Sequence, residues 1–425
     1  MEVLEAHSDG PSRRIRPWVI VAIAVIIIAV VVALTAGGSG KPPAGHASTG
    51  HSGGGSTNKG SGTHSGATLR LSTSNPLAGA SNVASDTTIS LTFSAPVSLA
   101  HGQPTLTPAV QGSWSQTSAD TLAYNLSAPL IPQTTYTVTV PDGTSGLRGT
   151  DGSKMSKAAT VNFSVATGDY SRLQQLLAAL DYLPLSFTPS GPAPAPKDMA
   201  IAQPGAFNWR WANQPPELMA IWAQGSFNEV TRAAVESFEN QNNLTVDGIA
   251  GPQVWSTLLA DVASQKVNAN PYVYVLVNKV QPENLTLWNN GTVEYSNILV
   301  NTGAPGADTT DGNYAVFEHV RFSDMKGTNP DGSKYNDPNV PYASYFNGGD
   351  ALHGFIRAQY GYPQSNGCVE MAYSNAALVW PLTPIGTVVT VEGPATPGPP
   401  PTTTTTTTAP PTTTTAPPPP ATTAP

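Results

Sequence analysis

The spacing of apolar residues changes along this chain, and each change restricts what the chain can fold into. Residues 68–167 alternate apolar and polar positions, as in Ile89, Leu91 and Phe93, whereas residues 169–261 follow a helical period. Alternation is typical of strands with one buried face, and a period near 3.6 residues is typical of amphipathic helices. Because 425 residues are enough for two or three domains, the pattern predicts a multidomain protein with separate β and α parts.

The first part is predicted to be an antiparallel Ig-like β-sandwich. Turn-forming residues such as Pro141-Asp142-Gly143 separate its alternating runs. The segment resembles bacterial Ig-like modules in Asn75-Pro76, Phe93-Ser94-Ala95-Pro96-Val97 and Leu130-Ile131-Pro132-Gln133-Thr134-Thr135-Tyr136. We expect it to position the other domains rather than to bind a ligand.

The second part is predicted to be a small all-α domain. Leucines recur on one helical face at positions 173, 176, 177 and 180. The segment closes with Val246-Asp247-Gly248-Ile249-Ala250-Gly251-Pro252-Gln253-Val254-Trp255, in which the proline suits the first position of a helix. In this motif it resembles a peptidoglycan-binding helical module, although the insertion at 184–216 departs from that compact pattern. An ordinary three-helix domain with a buried Trp255 is the alternative.

The third part, residues 271–391, is predicted to be mostly β. Its apolar runs predict strands that include 314–319 and 351–356, and a helix is predicted to begin near Ser374.

This third part contains the single cysteine of the chain, Cys368, and a histidine, His353, fifteen residues before it. Imidazole titrates in the range needed to take a thiol proton near neutral pH, and the thiolate is the nucleophilic form. Gly367 permits a tight backbone that can aim successive N–H groups at an oxyanion, and Ser365 and Asn366 add polar donors at the same turn. The arrangement indicates nucleophilic catalysis by a cysteine.

Around this pair the chain resembles the L,D-transpeptidases, whose catalytic domain is also called YkuD-like. The matching motifs follow the family's order and are Val300-Asn301-Thr302-Gly303, Thr310-Asp311-Gly312-Asn313-Tyr314, Pro341-Tyr342, Leu352-His353-Gly354 and Ser365-Asn366-Gly367-Cys368-Val369. The resemblance covers about 120 residues. It implies that Cys368 is the nucleophile and that His353 is the base that activates it.

The resemblance also implies roles for residues around the pair. The Gly354 carbonyl is expected to orient the base, and the amides of Gly367 and Cys368 are expected to form the oxyanion hole, with Asn366 beside them. The expected substrate contacts are Tyr342, Tyr345, Ser365 and Glu370.

Two positions depart from the family pattern. Asn366 stands where the family usually has histidine, and Glu370 stands where arginine or asparagine is common. Asparagine cannot carry charge, and a glutamate would alter the recognition of an acidic stem peptide. Two alternatives therefore stay open, a wall-anchored peptidoglycan-binding protein with a degenerate catalytic domain and an L,D-carboxypeptidase that uses the same cysteine.

The implied activity is the cross-linking of peptidoglycan stem peptides through a cysteine thioester, with no metal or cofactor, and carbapenem acylation is expected at the same thiol. A zinc amidase would need three metal ligands, whereas His319 and His353 are the only histidines of the third part and form no H-x-x-x-H pair. Ser323-Asp324-Met325-Lys326 matches S-x-x-K, but the other motifs of serine transpeptidases are missing. The formal charge of −8 argues against a nucleic-acid partner.

Both ends of the chain are predicted to lie outside the folded domains. The apolar run from Trp18 to Leu34 follows three arginines, which predicts a single-pass anchor with a cytoplasmic N-terminus. The resemblance to the L,D-transpeptidases implies that the ectodomain lies in the cell wall. A cleaved signal peptide is the alternative. The predicted boundaries are a cytoplasmic segment at 1–17, the anchor at 18–36, a disordered linker at 37–67, the β-sandwich at 68–167, the helical domain at 168–262, the catalytic domain at 270–392 and a disordered Pro/Thr-rich tail at 393–425.

Overall fold

The computed structural model describes residues 68–144 and 146–394. The predicted anchor, the linker and nearly all of the tail lie outside these residues and stay predictions. Among the helices that are described, none has the length and apolar character that crossing a bilayer requires.

The N-terminal region is a β-sandwich. Its strands are β1 (Thr68–Leu69), β2 (Leu71–Asn75), β3 (Ala80–Val83), β4 (Ile89–Phe93), β5 (Val97–Ser98), β6 (Thr105–Thr107), β7 (Gly112–Gln116), β8 (Thr121–Leu126), β9 (Thr135–Val140), β10 (Arg148–Gly149), β11 (Lys154–Met155) and β12 (Ala159–Val165). Its two main sheets have the orders β2-β4-β8-β7 and β3-β12-β9-β6, and the short strands form a third sheet, β1-β11-β10-β5. The alternating residues that predicted these strands, such as Leu91 and Phe163, form the buried core between the sheets.

The middle region is helical. It contains α1 (Tyr170–Ala179), α2 (Pro216–Ile221), α3 (Glu229–Gln241) and α4 (Pro252–Ser264), together with an antiparallel hairpin of β13 (Leu185–Pro189) and β14 (Gly205–Trp209). Side chains cap two helices, because Asp169 accepts from the Arg172 N–H and Asn228 accepts from the Thr231 N–H. The hairpin occupies the predicted insertion, so it adds to the helical domain that the sequence predicted.

The C-terminal region is mostly β. Its elements are β15 (Val273–Asn278), β16 (Asn284–Asn289), β17 (Thr292–Leu299), β18 (Gly312–Ala315), β19 (Glu318–Thr328), β20 (Lys334–Asn347), β21 (Asp350–Gly354), β22 (Val369–Met371), α5 (Tyr373–Val379) and β23 (Val388–Glu392). They form a five-stranded sheet, β17-β16-β15-β23-β18, and a four-stranded sheet, β19-β20-β21-β22. The predicted order of a β-sandwich, a helical domain and a mostly β domain is confirmed.

One predicted strand is wrong in this region. Residues 314–319 do not form a single strand, because β18 ends at Ala315 in the five-stranded sheet and β19 begins at Glu318 in the four-stranded sheet. The chain thus crosses between sheets inside one apolar run. The long β19–β20 hairpin that follows is rich in polar residues and was not among the predicted strands.

The five-stranded sheet lies between the helical region and the four-stranded sheet. The side chains of Tyr272 and Tyr274 belong to the core cluster of the helical region, whereas those of Val273 and Val275 belong to the core between the two sheets. This is the alternation expected of a strand with two buried faces. The helical region therefore supports the sheet from the side opposite the strands that carry His353.

Candidate active site

A tight turn places the cysteine immediately before β22. In this cysteine turn, defined as Ser365–Cys368, the Ser365 Oγ donates to the Cys368 carbonyl at 2.5 Å and accepts from the Gly367 N–H at 3.2 Å. Gly367 has a φ of +110°, and a Cβ there would lie 2.3 Å from Asp350 Oδ1. The position therefore requires glycine both for its backbone angle and for its contact with Asp350.

His353 lies in β21 and is 2% exposed. Its Nδ1 is 3.0 Å from the Gly354 carbonyl oxygen. Because a carbonyl only accepts, Nδ1 carries the proton and Nε2 carries the lone pair. Burial lowers the pKa of His353, so the imidazole is neutral near pH 7 and can act as a base.

Strand register brings His353 and Cys368 to one side of the four-stranded sheet. Leu352 pairs with Val369 and His353 pairs with Glu370 in a parallel ladder, so Ala351 is the position opposite Cys368. Side chains two residues apart share a face, and a diagonal neighbour across one strand pair lies about 8 Å away between Cα atoms. We call this side, which carries Ala351, His353 and Cys368, the cleft face.

The thiol is protonated at rest. The pKa of Cys368 is raised to about 12, mainly by burial; the hydrogen bond from the Ala351 N–H opposes this increase, and the charges of Asp350 and Glu370 contribute to it. The Sγ donates to the Gly349 carbonyl at 3.7 Å. A thiol in this state needs a base in the same step in which it attacks.

The two amides of the cysteine turn differ in their partners. The Gly367 N–H donates to Ser365 Oγ, so its predicted oxyanion role stays a prediction. The Cys368 N–H, in contrast, has no hydrogen-bond partner among residues 68–144 and 146–394. It is therefore the amide of this turn that is free to stabilise a developing oxyanion.

The remaining predicted site residues occupy three different places. Tyr345 pairs with Ala351 in the ladder, on the cleft face, and its hydroxyl is 2.7 Å from Ser323 Oγ. Tyr342 packs against Trp380, 5.9 Å between ring centroids, and lines a small cavity next to His353. Asn366 points outward, where its amide donates to Asn329 Oδ1 at 2.7 Å, in the turn of the β19–β20 hairpin.

Glu370 was predicted to contact substrate, but both of its carboxylate oxygens are used inside the protein. Arg357 Nε and Nη2 each lie 2.7 Å from one of these oxygens, and Glu370 is 4% exposed. The negative charge raises the pKa of His353, whereas Arg357 lowers it. Its role as a substrate contact stays a prediction. No sequence pattern indicated Arg357 as the partner of Glu370.

Another residue that the sequence analysis missed comes from the β19–β20 hairpin. Tyr335 is half-buried, and burial raises the pKa of its phenol, with nearby Cys368 and Asp350 raising it further. Together with the hydrogen bond between Asn366 and Asn329, this places part of the hairpin next to the cysteine turn.

Comparison with family models identifies the three regions. Residues 272–391 match the L,D-transpeptidase catalytic domain, residues 66–165 match a bacterial Ig-like domain, and residues 220–258 match a putative peptidoglycan binding domain. Residues 272–391 are therefore similar to an L,D-transpeptidase catalytic domain. The resemblances inferred from the sequence are thereby confirmed for these three regions.

Solved structures of L,D-transpeptidases resemble the chain, but their TM-scores are low. One from Mycobacterium smegmatis is 11% identical, with 77% of this chain and 100% of that chain covered and a TM-score of 0.26. L,D-transpeptidase 3 from Mycobacterium tuberculosis, in complex with a faropenem-derived adduct, is 13% identical, with 76% and 98% covered and a TM-score of 0.26. The catalytic domain from E. faecium is 23% identical, with 29% and 100% covered and a TM-score of 0.26.

No curated protein matches the chain. With TM-scores this low, the structural likenesses carry no weight in assigning the L,D-transpeptidase domain, which rests on the family models.

Proposed function

We propose that this protein is a cell-wall L,D-transpeptidase that cross-links peptidoglycan stem peptides through a thioester on Cys368. The observation that carries the proposal is the neutral, buried His353 on the same sheet face as the protonated thiol, next to a backbone amide with no partner. A base, a nucleophile and an oxyanion donor are the three groups that acyl transfer requires.

The first half-reaction makes the acyl-enzyme. His353 Nε2 takes the thiol proton as Cys368 Sγ forms a bond to the peptide carbonyl carbon that follows an L-centre. The Cys368 N–H donates to the carbonyl oxygen as it gains negative charge. The C–N bond then breaks, and the leaving amine of the terminal D-residue takes the proton from Nε2.

The second half-reaction uses the same groups. An amine of a neighbouring stem peptide attacks the thioester, His353 accepts its proton, and the C–S bond breaks to return the proton to Cys368. Since one site is used twice in succession, ping-pong kinetics are expected. If water attacks instead, the product is that of an L,D-carboxypeptidase.

The other regions fit a role at the cell wall. The putative peptidoglycan binding domain and the Ig-like domain precede the catalytic domain, and Gln133 of the β-sandwich donates to the Ala250 carbonyl of the helical region at 2.8 Å. We propose that the helical region holds the polymer while the catalytic domain acts on its stems. The predicted membrane anchor is part of the same proposal and places the ectodomain in the wall.

Mass spectrometry tests this proposal on the soluble ectodomain. Incubation with a carbapenem or with a tetrapeptide donor is expected to add one acyl group at Cys368, and tetrapeptide-rich sacculi are expected to yield cross-linked muropeptides. Cys368→Ala is the matched control and should abolish both products. If the wild type binds insoluble peptidoglycan but forms no adduct, the protein is a binding protein with a degenerate catalytic domain and the proposal fails.

A further inference from the structure

A buried threonine donates a hydrogen bond to the backbone of the cysteine turn. Thr309 is 0% exposed, and its Oγ1 donates to the Gly367 carbonyl at 2.7 Å while accepting from the Gly303 N–H at 2.9 Å. The hydroxyl therefore joins two loops through its O–H donor and one of its two acceptor lone pairs. Neither the motifs of the sequence nor the proposed chemistry assigns a role to this residue.

The hydrogen bond to Gly367 fixes the orientation of one peptide group. The Gly367 carbonyl and the Cys368 N–H belong to the same peptide, and this peptide is trans, because the cis bonds within the described residues all precede prolines. In a trans peptide the C=O and the N–H point in opposite directions. With the carbonyl held by Thr309, the Cys368 N–H points away from Thr309.

Thr309 is itself held by a buried cation. Its carbonyl accepts from Lys279 Nζ at 2.8 Å, and the Lys279 side chain is 1% exposed. The ammonium also lies 2.8 Å from Asp311 and 3.2 Å from Asp308. A charged group with three oxygen partners in the interior has little freedom to move, so the backbone of Thr309 is a fixed support for its hydroxyl.

We propose that Thr309 is a positioning residue that aims the Cys368 N–H at the oxyanion formed during acyl transfer. This rests on the proposed acyl transfer at Cys368. Without the hydroxyl, the Gly367–Cys368 peptide loses the hydrogen bond that fixes its orientation, and its N–H is held less firmly in one direction when charge develops on the carbonyl oxygen. Thiol chemistry that develops no oxyanion should be unaffected.

Two reactions of the same thiol distinguish a loss of amide orientation from a loss of thiol reactivity. Carbapenem acylation puts negative charge on the lactam carbonyl oxygen as the C–S bond forms and the lactam C–N bond breaks. Iodoacetamide alkylation forms a C–S bond and expels iodide, with the thiol proton passing to a base, and no carbonyl oxygen gains charge. Both reactions need an accessible thiol and a base, but only acylation needs an oriented amide.

The variants are Thr309→Val, which keeps the shape and removes the hydroxyl, and Thr309→Ser, which keeps the hydroxyl. Thr310→Val is the matched control, because this neighbouring side chain is exposed. Carbapenem acylation of Thr309→Val is expected to slow on the order of 10-fold to 100-fold. Its alkylation rate should stay within about twofold of the wild type. With a tetrapeptide donor, kcat should fall and KM should not rise.

Thr309→Ser and Thr310→Val are expected to match the wild type in both reactions. Wild-type acylation in Thr309→Val, or an equal loss of acylation and alkylation, would overturn the positioning role. If Thr309→Val does not fold, Thr309→Ser still decides, because a tenfold loss of acylation despite the retained hydroxyl contradicts the proposal. Failure of the proposed function is distinguishable, since the wild type itself would then form no acyl adduct.

Discussion

Removing Arg357 should both destabilise the catalytic domain and move its pH dependence. The guanidinium contacts both oxygens of Glu370 at 2.7 Å, and the carboxylate side chain is 6% exposed while that of Arg357 is 30% exposed. Stranding a buried charge costs about 3–5 kcal/mol. Because solvent reaches Arg357 and can partly replace it, we expect Arg357→Met to lower the free energy of unfolding by about 2–3 kcal/mol.

The same substitution should raise the pKa of His353. Arg357 lowers that pKa and Glu370 raises it, so losing the arginine leaves only the upward influence of this pair. His353 must be neutral to accept the thiol proton. The acid limb of the acylation rate should therefore move to higher pH in Arg357→Met, which a series of carbapenem acylation rates between about pH 5 and pH 9 measures.

A double-mutant cycle gives the controls. Arg357→Met combined with Glu370→Met removes both charges and should recover most of the stability in urea denaturation, with a coupling energy above about 1 kcal/mol. Arg321→Met, at an exposed arginine of β19, should change stability by less than about 0.5 kcal/mol. Additive losses in the cycle, or an acid limb that does not move, would refute the role assigned to the pair.

Three further outcomes are expected. The acylation rate at Cys368 should rise with pH through the lowered pKa of His353 and then stay level to pH 9. The plateau is expected because the thiol pKa is raised to about 12, mainly by burial. A second rise of the rate near pH 8.5 would contradict this. Burial raises the pKa of Glu236 from 4.5 to about 7, so the native state holds a proton that the unfolded chain lacks and stability falls as pH rises across that window. Glu236→Gln should therefore stabilise by about 1–2 kcal/mol at pH 8 and by little at pH 4.5 in urea titrations; equal effects at both pH values would contradict the burial argument. Gly367→Ala should abolish acylation, because its φ is +110° and the methyl group would meet a neighbouring carboxylate, whereas Gly349→Ala has open space and should fold with a wild-type melting temperature.

Much of the fold was predictable because a helix or strand with one buried face has apolar residues at regular spacing in the sequence. The leucines at 173, 176, 177 and 180 that predicted a helical face are all 0–1% exposed. The error at 314–319 has a physical cause. Apolar alternation indicates which residues are buried, but it does not indicate which strand the backbone pairs with. A run that passes from one sheet to the next therefore has the pattern of a single strand.

The reactive groups of the candidate site could be proposed from the sequence, whereas their surroundings could not. A single cysteine after a glycine and a histidine fifteen residues earlier were enough to propose a nucleophile and a base, and these two roles stay predictions. Three properties came only from the structure, namely the ion pair that occupies Glu370, the free Cys368 N–H and the hydroxyl of Thr309 beneath the turn. Each depends on a partner distant in the sequence, such as Gly367 for Thr309.

The sequence by itself determined the order of the domains, the residue types that can carry out acyl transfer and the glycine that the cysteine turn requires. These follow from properties of single residues and their local spacing. Only the tertiary structure decided that His353 is buried and neutral, that the thiol is protonated at rest and which amide is left without a partner. The reason is that pKa values and hydrogen-bond satisfaction depend on desolvation and on neighbours that folding brings together from distant parts of the chain.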